Sequence, residues 1–434
     1  MIKLKWSKYA EQLKGEKTDL IYNWKNNQIY RLPKGMIAKV QESLLKGVFT
    51  EEVKTAITQL YLEKILVEER SEEKYCTPEP LRDDMGAVYF MPSMNCNFRC
   101  TYCFVGTEVS KGKGATMPED LVKKAAEFVA NAAEKAGITE LKILLFGGEP
   151  TINITKHILF MKHLNKLSDK RIQYDLITNG WYMPFDKINE MIEEGLSTIQ
   201  ITLDGPEKVH DSRRKLCNGG GTYAQIISNI LKLKDKHINL AIRVNADNEN
   251  INSINELVDE LIKIGLANRI VLQIAPVDPS DFSDNSGYDE KVIDKFADIY
   301  DKAEKNRIEI VSWNRGCSVR SKLFMAIDPR GDLYKCPDYV GNRANAIGNI
   351  ETGYNDKYSE FLELPIADDC QGCIQYGLCR GGCQYLRDID AAQITYCIKE
   401  ALSKINRGYL LAKYDKEYAE FRASSLGKSF SKFI

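Results

Sequence analysis

The sequence predicts an α/β protein: a partial, TIM-like barrel of six strand–helix units, with a small N-terminal module and a cysteine-rich C-terminal domain. From about residue 87, short and largely apolar runs alternate with amphipathic stretches of helical length. Parallel strands buried on both faces have this composition, and successive strand–helix units favour a parallel sheet. Six units are too few to close an eight-unit barrel, so we expect an open one.

The six strand candidates are short runs rich in branched residues. They begin near Ala87, Leu141, Ile172, Thr198, Leu240 and Ile270. Between the first two, the stretch from Pro118 has apolar residues spaced three and four apart. It should form a helix that starts at Pro118 and ends before Gly137.

Polar motifs follow these strands, at the ends where ligands bind in folds of this kind. CNFRCTYC, GGEP, TNG and LDG follow the first four strands, and Arg243 and Asn245 lie in or near the end of the fifth. The carboxyl ends of parallel strands meet at one edge, so we expect all five groups on one rim.

With 434 residues and a net charge of −1, the chain has room for two or three domains and no charge bias toward nucleic acid or a membrane surface. We divide it into residues 1–75, 85–310 (the barrel), 311–400 (the cysteine-rich domain) and 401–434 (a helical tail). The first twenty residues lack the apolar core of a signal peptide, and no run of about 18 apolar residues occurs. We therefore expect a cytoplasmic protein.

Cysteine is the most informative residue type. Of twelve cysteines, three lie at Cys96, Cys100 and Cys103 and seven between residues 317 and 397, while Cys76 and Cys217 fall outside both groups. A reducing compartment disfavours disulfides, and clustered thiols there indicate metal ligands. The four histidines are scattered without ligand spacing, and we interpret them as surface residues.

The first three cysteines leave a metal site incomplete. A closed tetrahedral site needs four protein ligands, so three thiolates can hold three irons of a cubane and leave the fourth open. The run CNFRCTYCF resembles the radical S-adenosylmethionine (SAM) family signature, CxxxCxφC, with Tyr102 as the aromatic residue. A zinc knuckle or three unrelated thiols are the alternatives.

This resemblance, which covers residues 85 to 276, implies a SAM site on the predicted rim. Gly147, Gly148, Glu149 and Pro150 form the GGEP motif, which holds the amino group of SAM in that family. The segment ITLDGPEKVHDSRR resembles the one that contacts SAM after the fourth strand. There Thr202 would supply a small hydroxyl and Arg214 a base near the carboxylate, with Arg213 as a competing candidate, and Asn179 would meet the ribose.

The seven later cysteines resemble the SPASM extension of that family, which carries two auxiliary clusters. By resemblance, Cys370, Cys373, Cys379 and Cys397 would bind the distal cluster and Cys317, Cys336 and Cys383 the proximal one. Three [4Fe-4S] clusters are therefore implied, one of which binds SAM. The zinc-ribbon alternative needs four ligands in two pairs. Gly331 should form the turn of a hairpin between the first two cysteines of this array.

The proximal cluster has three obvious ligands, because the segment between Cys317 and Cys336 contains no further cysteine. An open iron prefers a thiolate, so a substrate cysteine could complete it. Water or another side chain is the alternative. Sulfatase-maturing relatives carry a proton-accepting Asp directly after the second auxiliary cysteine. Here Pro337 intervenes, which leaves Asp338 as a candidate catalytic base or a solvated loop residue.

Residues 1–75 contain a predicted hairpin, LIYNWKNNQIYRLP, followed by helix-like segments from Lys34 and Glu51. This arrangement resembles the winged-helix recognition elements of peptide-modifying enzymes, which bind a leader peptide as an added strand. A capping extension of the barrel explains it equally well.

Together these features favour a radical SAM maturase that removes a hydrogen atom from a ribosomally made precursor peptide and forms a cysteine thioether. Its expected partners are that peptide and a low-potential donor such as flavodoxin or ferredoxin, with no nucleic acid and no membrane. A carbon–carbon cross-linking enzyme and a sulfatase-maturing oxidase are the alternatives in the same family. A zinc or iron–sulfur scaffold or redox sensor is the non-enzymatic alternative.

Overall fold

The structure is a computed structural model that describes residues 3–71, 84–103, 115–278, 289–312, 316–389 and 397–416. Its strands are β1 Leu4–Trp6, β2 Ala10–Lys14, β3 Thr18–Asn23, β4 Gln28–Pro33, β5 Leu66–Glu68, β6 Met85–Phe90, β7 Phe98–Cys100, β8 Glu140–Leu145, β9 Arg171–Thr178, β10 Leu196–Thr202, β11 Arg214–Leu216, β12 Asn239–Ala246, β13 Ile270–Pro276, β14 Glu309–Val311, β15 Phe324–Ile327, β16 Asp332–Tyr334, β17 Gly348–Asn349 and β18 Gly353–Tyr354. Its helices are α1 Met36–Lys46, α2 Glu51–Leu62, α3 Glu119–Ala136, α4 Ile154–Leu167, α5 Phe185–Glu193, α6 Glu207–Arg213, α7 Tyr223–Leu233, α8 Ile254–Lys263, α9 Glu290–Ile293, α10 Phe296–Lys305, α11 Asp356–Leu362, α12 Tyr376–Cys379, α13 Gln384–Ile389 and α14 Lys399–Tyr414. Cys76 and the last part of the predicted helical tail, residues 417–434, lie outside the described residues.

One large sheet, rich in parallel strands, forms the body of the protein. The six predicted strands are β6, β8, β9, β10, β12 and β13, and they pair in parallel in this order. Strand β14 extends the sheet in parallel beyond β13, and β15 does so beyond β6, followed by antiparallel β16, β17 and β18. Within the described ranges β14 has no partner beyond β13, so the sheet is open, as predicted.

The helix between the first two barrel strands has the predicted ends. Pro118 precedes α3 in an extended conformation, and Gly137 ends it with φ 72° in the left-handed region, where a residue without Cβ is favoured. Val122, Ala126 and Val129 lie on its buried face. Small and branched side chains there let the helix pack closely on the sheet.

The prediction that the strands are buried on both faces is wrong. Along β8, Leu141, Ile143 and Leu145 are buried, whereas Lys142 and Leu144 between them are partly exposed. Strands β6 and β12 alternate in the same way. Side chains of a strand point alternately to its two faces, so one face packs on the helices while the other lines an accessible barrel interior.

The N-terminal segment folds as a three-stranded antiparallel sheet, β2–β3–β4, with α1 and α2 beside it and β1 paired to β5. Strands β3 and β4 form the predicted hairpin. Helix α2 begins at Glu51 as predicted. Helix α1 begins at Met36, because Gly35 has φ 83° and cannot belong to the helix.

The turn between β2 and β3 contacts the end of α14. The carboxylate of Asp415 accepts hydrogen bonds from the backbone N–H groups of Lys17 and Thr18, both at 2.9 Å, and from the Thr18 hydroxyl at 3.1 Å. Arg407 of α14 forms an ion pair with Glu11 of β2 at 2.7 Å. The N-terminal sheet is therefore held against the C-terminal helix.

The loop with Gly331 forms the predicted hairpin between β15 and β16. Gly331 has φ 79°, and a Cβ there would lie 2.9 Å from the Ile350 side chain. Both conditions favour glycine. Among the described helices, none combines the length and the apolar character needed to cross a membrane.

Candidate functional site

Cys96, Cys100 and Cys103 lie in the loop after β6, and this loop is held by a short ribbon. Strand β7 pairs antiparallel with β11, which places Arg214 directly opposite Cys100. Burial, together with the charges of Glu149, Cys100 and Cys103, raises the pKa of Cys96 to about 12. The three thiols lie within electrostatic reach of each other, so their thiolate forms repel. Bound iron would stabilise the thiolates, because cysteine binds metal in its deprotonated form.

Tyr102, between the second and third cysteines, joins this loop to two strand ends. Its hydroxyl donates a hydrogen bond to the carboxylate of Asp204, which follows β10. It accepts hydrogen bonds from Arg214 Nη1 at 2.6 Å and from Asn245 Nδ2, on β12, at 3.1 Å. The aromatic residue of the signature therefore fixes the loop through its hydroxyl group.

Arg213 and Arg214, the two candidates for the basic position near the SAM carboxylate, have different partners in the structure. Both are buried. The guanidinium of Arg213 lies 2.8 Å from the Asp247 carboxylate and 2.7 Å from Glu249, so acidic groups neutralise its charge. Arg214 contacts the Tyr102 hydroxyl, and the Nε of both arginines has no hydrogen-bond partner among the described residues. Because carboxylates already neutralise Arg213, Arg214 is the better candidate for an anionic ligand group.

The two glycines of GGEP are required by the backbone next to them. A Cβ on Gly147 would lie 2.3 Å from the Ser93 carbonyl oxygen, and one on Gly148 would lie 2.4 Å from that of Asn95. Gly148 N–H donates to Ser93 O at 3.0 Å. The motif therefore packs against the chain that leads into the cysteine loop, and this contact alone accounts for both glycines.

Glu149 is buried and joins two neighbouring strand ends. Its carboxylate accepts hydrogen bonds from the N–H and hydroxyl of Thr151, from the Thr178 hydroxyl at 2.6 Å and from Asn179 N–H at 2.7 Å. Burial raises its pKa, and these hydrogen bonds oppose the rise. Asn179 in turn donates from Nδ2 to Asn97 Oδ1 at 2.8 Å, inside the cysteine loop. GGEP, TNG and the cysteine loop thus form one connected network.

The remaining predicted rim residues are less distinctive. Pro150 opens a single 3-10 turn, Pro150–Asn153, directly after Glu149. Thr202 is the last residue of β10 and is buried, two residues before Asp204. Both lie at the strand ends where the cysteine loop is held.

Two of the four histidines correct the prediction of surface positions. His157 is 1% exposed and packs edge-on against Phe90, and His210 is fully buried. His163 is partly exposed and His237 exposed, as expected. His157 lies on the apolar face of α4 with buried Ile154 and Ile158, a spacing that could have revealed its burial, whereas His210 lies in the mostly polar helix α6.

His210 also supports the site, which the sequence did not reveal. Its Nδ1 accepts a hydrogen bond from Asp204 N–H at 3.2 Å, so the ring proton lies on Nε2 and is donated to the Thr222 hydroxyl at 3.1 Å. Thr222 then donates to the Arg214 carbonyl at 2.6 Å. Burial lowers the pKa of His210 to about 3, so the ring is neutral. The chain of hydrogen bonds positions Arg214 beside Tyr102.

Four of the later cysteines share one cavity. Cys370, Cys373, Cys379 and Cys397 line a partly open space with an empty volume of about 320 Å³. Arg387 lies at its edge and donates to Cys370 Sγ at 3.5 Å. Burial raises the pKa of Cys379 to about 11, with a contribution from Cys397 and Cys373. These four thiols are the set that resemblance assigned to the distal cluster.

Of the other three cysteines, Cys336 and Cys383 lie within electrostatic reach of each other, at the end of the β15–β16 hairpin and in the loop before α13. Burial raises the pKa of Cys336, and the charges of Asp338 and Cys383 raise it further. Cys317 acts on the charge of Arg380, in the same cysteine-rich segment as Cys383. Cys336 Sγ donates to Asp338 Oδ2 at 3.2 Å. Asp338 therefore contacts a predicted cluster ligand.

These thiols do not form a compact mononuclear site. Within the described ranges, no three His, Cys, Asp or Glu side chains are arranged to hold a single metal ion. Thiolates bound to one zinc at about 2.3 Å would lie less than about 4 Å apart. Cys217, to which no role was assigned, is exposed, and its N–H donates to Asn97 O at 2.8 Å beside the first cluster loop.

The rim lies within a radical SAM domain. Residues 91–261 match the model of the Radical SAM superfamily. This segment contains the cysteine loop, GGEP, TNG, LDG and both arginines. The superfamily implies a [4Fe-4S] cluster and SAM, and the buried donor of Arg214 and the three neighbouring thiols fit these groups.

Beyond this segment, the chain resembles maturases. It is 23% identical to the radical SAM cyclopropyl synthase TigE of Paramaledivibacter caminithermalis, over 69% of this chain and 68% of that protein. It is 21% identical to a cysteine-type anaerobic sulfatase-maturating enzyme of Clostridium perfringens, over 68% of this chain and 88% of that one.

Solved structures share the fold. Native anSMEcpe with bound AdoMet aligns with a TM-score of 0.61 at 19% identity, covering 76% of this chain and all of that one. SuiB of Streptococcus suis bound to precursor peptide SuiA aligns with a TM-score of 0.53 at 14% identity, covering 90% of this chain and 97% of that one. At these identities the likeness concerns the fold alone.

Proposed function

We propose that the chain is a SPASM-type radical SAM maturase that cross-links a ribosomally made precursor peptide, with a cysteine thioether as the favoured bond. The observation that carries this proposal is the pairing of two thiol sets in one fold. Cys96, Cys100 and Cys103 lie at the rim of the barrel, and four further cysteines share a separate cavity. A protein that only cleaves SAM has no need of the second set.

In this proposal Cys96, Cys100 and Cys103 hold the SAM-binding [4Fe-4S] cluster. Cys370, Cys373, Cys379 and Cys397 hold the distal auxiliary cluster, and Cys317, Cys336 and Cys383 hold the proximal one. Bound there, these groups supply reductive cleavage of SAM and removal of a hydrogen atom from the substrate. The protein's own part is to orient the cofactor through Arg214 and the GGEP and TNG rims, and to shield the interior from water.

The thioether rests on the proximal set, which offers three thiols and an adjacent carboxylate. Each link removes two hydrogens, one from the substrate thiol and one from carbon. One hydrogen would leave in 5′-deoxyadenosine and the other as a proton, and an auxiliary cluster held by the later cysteines would supply the acceptor for the remaining electron. Asp338, which contacts Cys336, would accept that proton.

A carbon–carbon link is the second candidate, and one observation favours it. The relative at 23% identity is a cyclopropyl synthase. Both bond types cost the peptide two hydrogens, so intact mass does not separate them. Alkylation with iodoacetamide does: a thioether protects one cysteine per link, whereas a carbon–carbon bond leaves every thiol reactive. The sulfatase-maturing oxidase would instead convert one side chain without forming a link.

We further propose that residues 1–75 recognise the leader of the peptide. The three-stranded sheet has β2 and β4 at its edges, and neither has a second partner strand within the described residues. An edge can accept an added strand. The SuiB complex covers 90% of this chain and anSMEcpe 76%, a difference close to the size of this module.

Deletion of residues 1–75 tests this role. SAM cleavage should survive, while modification of the full-length precursor falls. Asp415→Ala is the matched control, because it loosens the module from α14 without removing its sheet edges. If the deletion leaves peptide modification unchanged, the module is a structural extension. We also propose a cytoplasmic location and a flavodoxin- or ferredoxin-type electron donor, because the chemistry needs a low-potential electron.

A further inference from the structure

We infer that Tyr89, Phe146 and Phe324 form an aromatic wall inside the barrel, which seats an apolar side chain of the substrate and so determines specificity. This inference rests on the proposed peptide substrate and goes beyond it. Tyr89 lies on β6, Phe146 follows β8, and Phe324 begins β15. The Tyr89 ring lies edge-on to both phenylalanines, with centroids 6.0 Å from Phe146 and 6.1 Å from Phe324.

The three rings rise from the middle of the barrel to its rim. Phe324 is level with Ala87 of the neighbouring strand, and Tyr89 lies one step nearer the carboxyl end. Phe146 lies just beyond the end of β8 and directly precedes Gly147. A side chain resting on the wall therefore reaches toward the GGEP rim.

The wall lies on the face of the sheet opposite the helices. Val88 and Phe90, which flank Tyr89 on β6, are fully buried toward the helices, while Tyr89, Phe146 and Phe324 are each partly exposed. Partly exposed aromatic rings that line a concave interior are typical of ligand sites. A folded chain that needed these rings only for its core would bury them.

The wall also lies between the two predicted reaction centres. Tyr89 and Phe146 pack, together with Cys336, against a small buried cluster that includes Met91 and Met94, just before the first cysteine loop. Burial raises the pKa of Tyr89, and the charges of Cys336 and Asp338 contribute to the rise. A substrate side chain on the wall would have the SAM rim on one side and the proximal cysteines on the other.

The chemistry of the wall and of two polar side chains on β12 and β13 indicates how a peptide would lie. Apolar ring faces and edges favour an aliphatic or aromatic side chain over a charged one, which would lose water on contact with the rings. Arg243 of β12 and Gln273 of β13 are register partners, and both are partly exposed on the interior face. Long polar side chains of this kind can bond backbone amides of a peptide.

Small amides of single amino acids test the wall without knowledge of the natural peptide. The probes are N-acetyl-leucinamide, N-acetyl-phenylalaninamide and N-acetyl-aspartamide. Saturation-transfer NMR on the protein as purified should detect the first two and not the third. In a titration of that signal, Phe146→Ala and Phe324→Ala should each raise the Kd of these two amides at least about tenfold, which corresponds to about 1.4 kcal/mol. Phe128→Ala is the matched control, since Phe128 is a partly exposed ring on α3 that pairs with Tyr354 outside the barrel.

The second measurement uses the cofactor-loaded protein with SAM and fully deuterated N-acetyl-leucinamide. Deuterium should appear in 5′-deoxyadenosine in the wild type and fall at least about tenfold in the two wall variants. Equal binding of apolar and charged probes would overturn the proposed role of the wall. So would a loss of binding or of deuterium transfer in Phe128→Ala as large as that in the wall variants. Absence of any 5′-deoxyadenosine, with selective binding intact, would instead overturn the proposed function and leave the wall supported.

Discussion

Glu149 should hold the rim together, so Glu149→Gln should destabilise the barrel. The side chain is 1% exposed, and its carboxylate accepts four hydrogen bonds of 2.6 to 3.0 Å. In glutamine, an NH₂ group replaces one oxygen. The better orientation keeps the oxygen where it accepts three of the four hydrogen bonds. The NH₂ group then faces Asn179 N–H, so two donors oppose each other.

The magnitude follows from that one broken contact. A hydrogen bond to a charged group contributes about 1.5–3 kcal/mol, and a buried donor left unpaired costs about 1–3 kcal/mol. Relief of the burial that raises the Glu149 pKa offsets part of this loss. We expect the free energy of unfolding to fall by about 2–4 kcal/mol and the melting temperature by roughly 5–15 °C.

Two measurements distinguish a structural role of Glu149 from a role in SAM binding alone. They are thermal unfolding followed by tryptophan fluorescence, and SAM binding. Thr178→Ser keeps the hydroxyl that Glu149 accepts and should melt close to the wild type. If Glu149 instead served only to bind the amino group of SAM, Glu149→Gln would weaken SAM binding and leave the melting temperature within about 2 °C of the wild type. That result would refute the structural role.

Three further predictions concern other parts of the molecule. The pKa of His157 is about 3 in the folded state, below its unfolded value, so stability is complete above about pH 6.5 and is lost as the pH falls. Urea unfolding at pH 7 and pH 5 measures how far the free energy of unfolding falls with pH. His157→Leu should make this fall about 2 kcal/mol smaller, whereas His237→Leu, at an exposed position, should leave it unchanged. Asp415→Ala should speed amide hydrogen exchange in residues 16–18 about tenfold and spare SAM cleavage, and equal exchange rates would contradict the contact seen at α14. Arg214→Gln should raise the KM for SAM at least about tenfold, because a charged donor near the ligand is lost, and an unchanged KM would exclude that role.

The sequence predicted the elements whose cause is local. Six apolar runs became six neighbouring parallel strands, because burial against helices imposes branched residues at alternate positions whatever lies beyond them. Helix α3 has its predicted ends, since Pro118 and Gly137 act through their own backbone conformations. The resemblance to the SPASM extension, and not local spacing, grouped the four cysteines that line the distal cavity.

Features that depend on contacts between distant parts of the chain could not be predicted from local sequence. The β7–β11 ribbon joins two three-residue strands more than 110 residues apart, too short to show periodicity. The hydrogen bonds of Glu149 come from two different strand ends, and those of His210 from Asp204 and Thr222. The exposed inner face was missed because apolar residues such as Leu144 occur there too.

The most direct test of the central claim replaces Cys96, Cys100 and Cys103 with alanine in one variant. The wild type, purified and reconstituted without oxygen, should bind about twelve iron atoms per chain and release 5′-deoxyadenosine from SAM when a reductant is added. The variant should lose about four of those irons and all of the nucleoside product. Undiminished release of 5′-deoxyadenosine by the variant would contradict the assignment of this loop as the radical SAM centre.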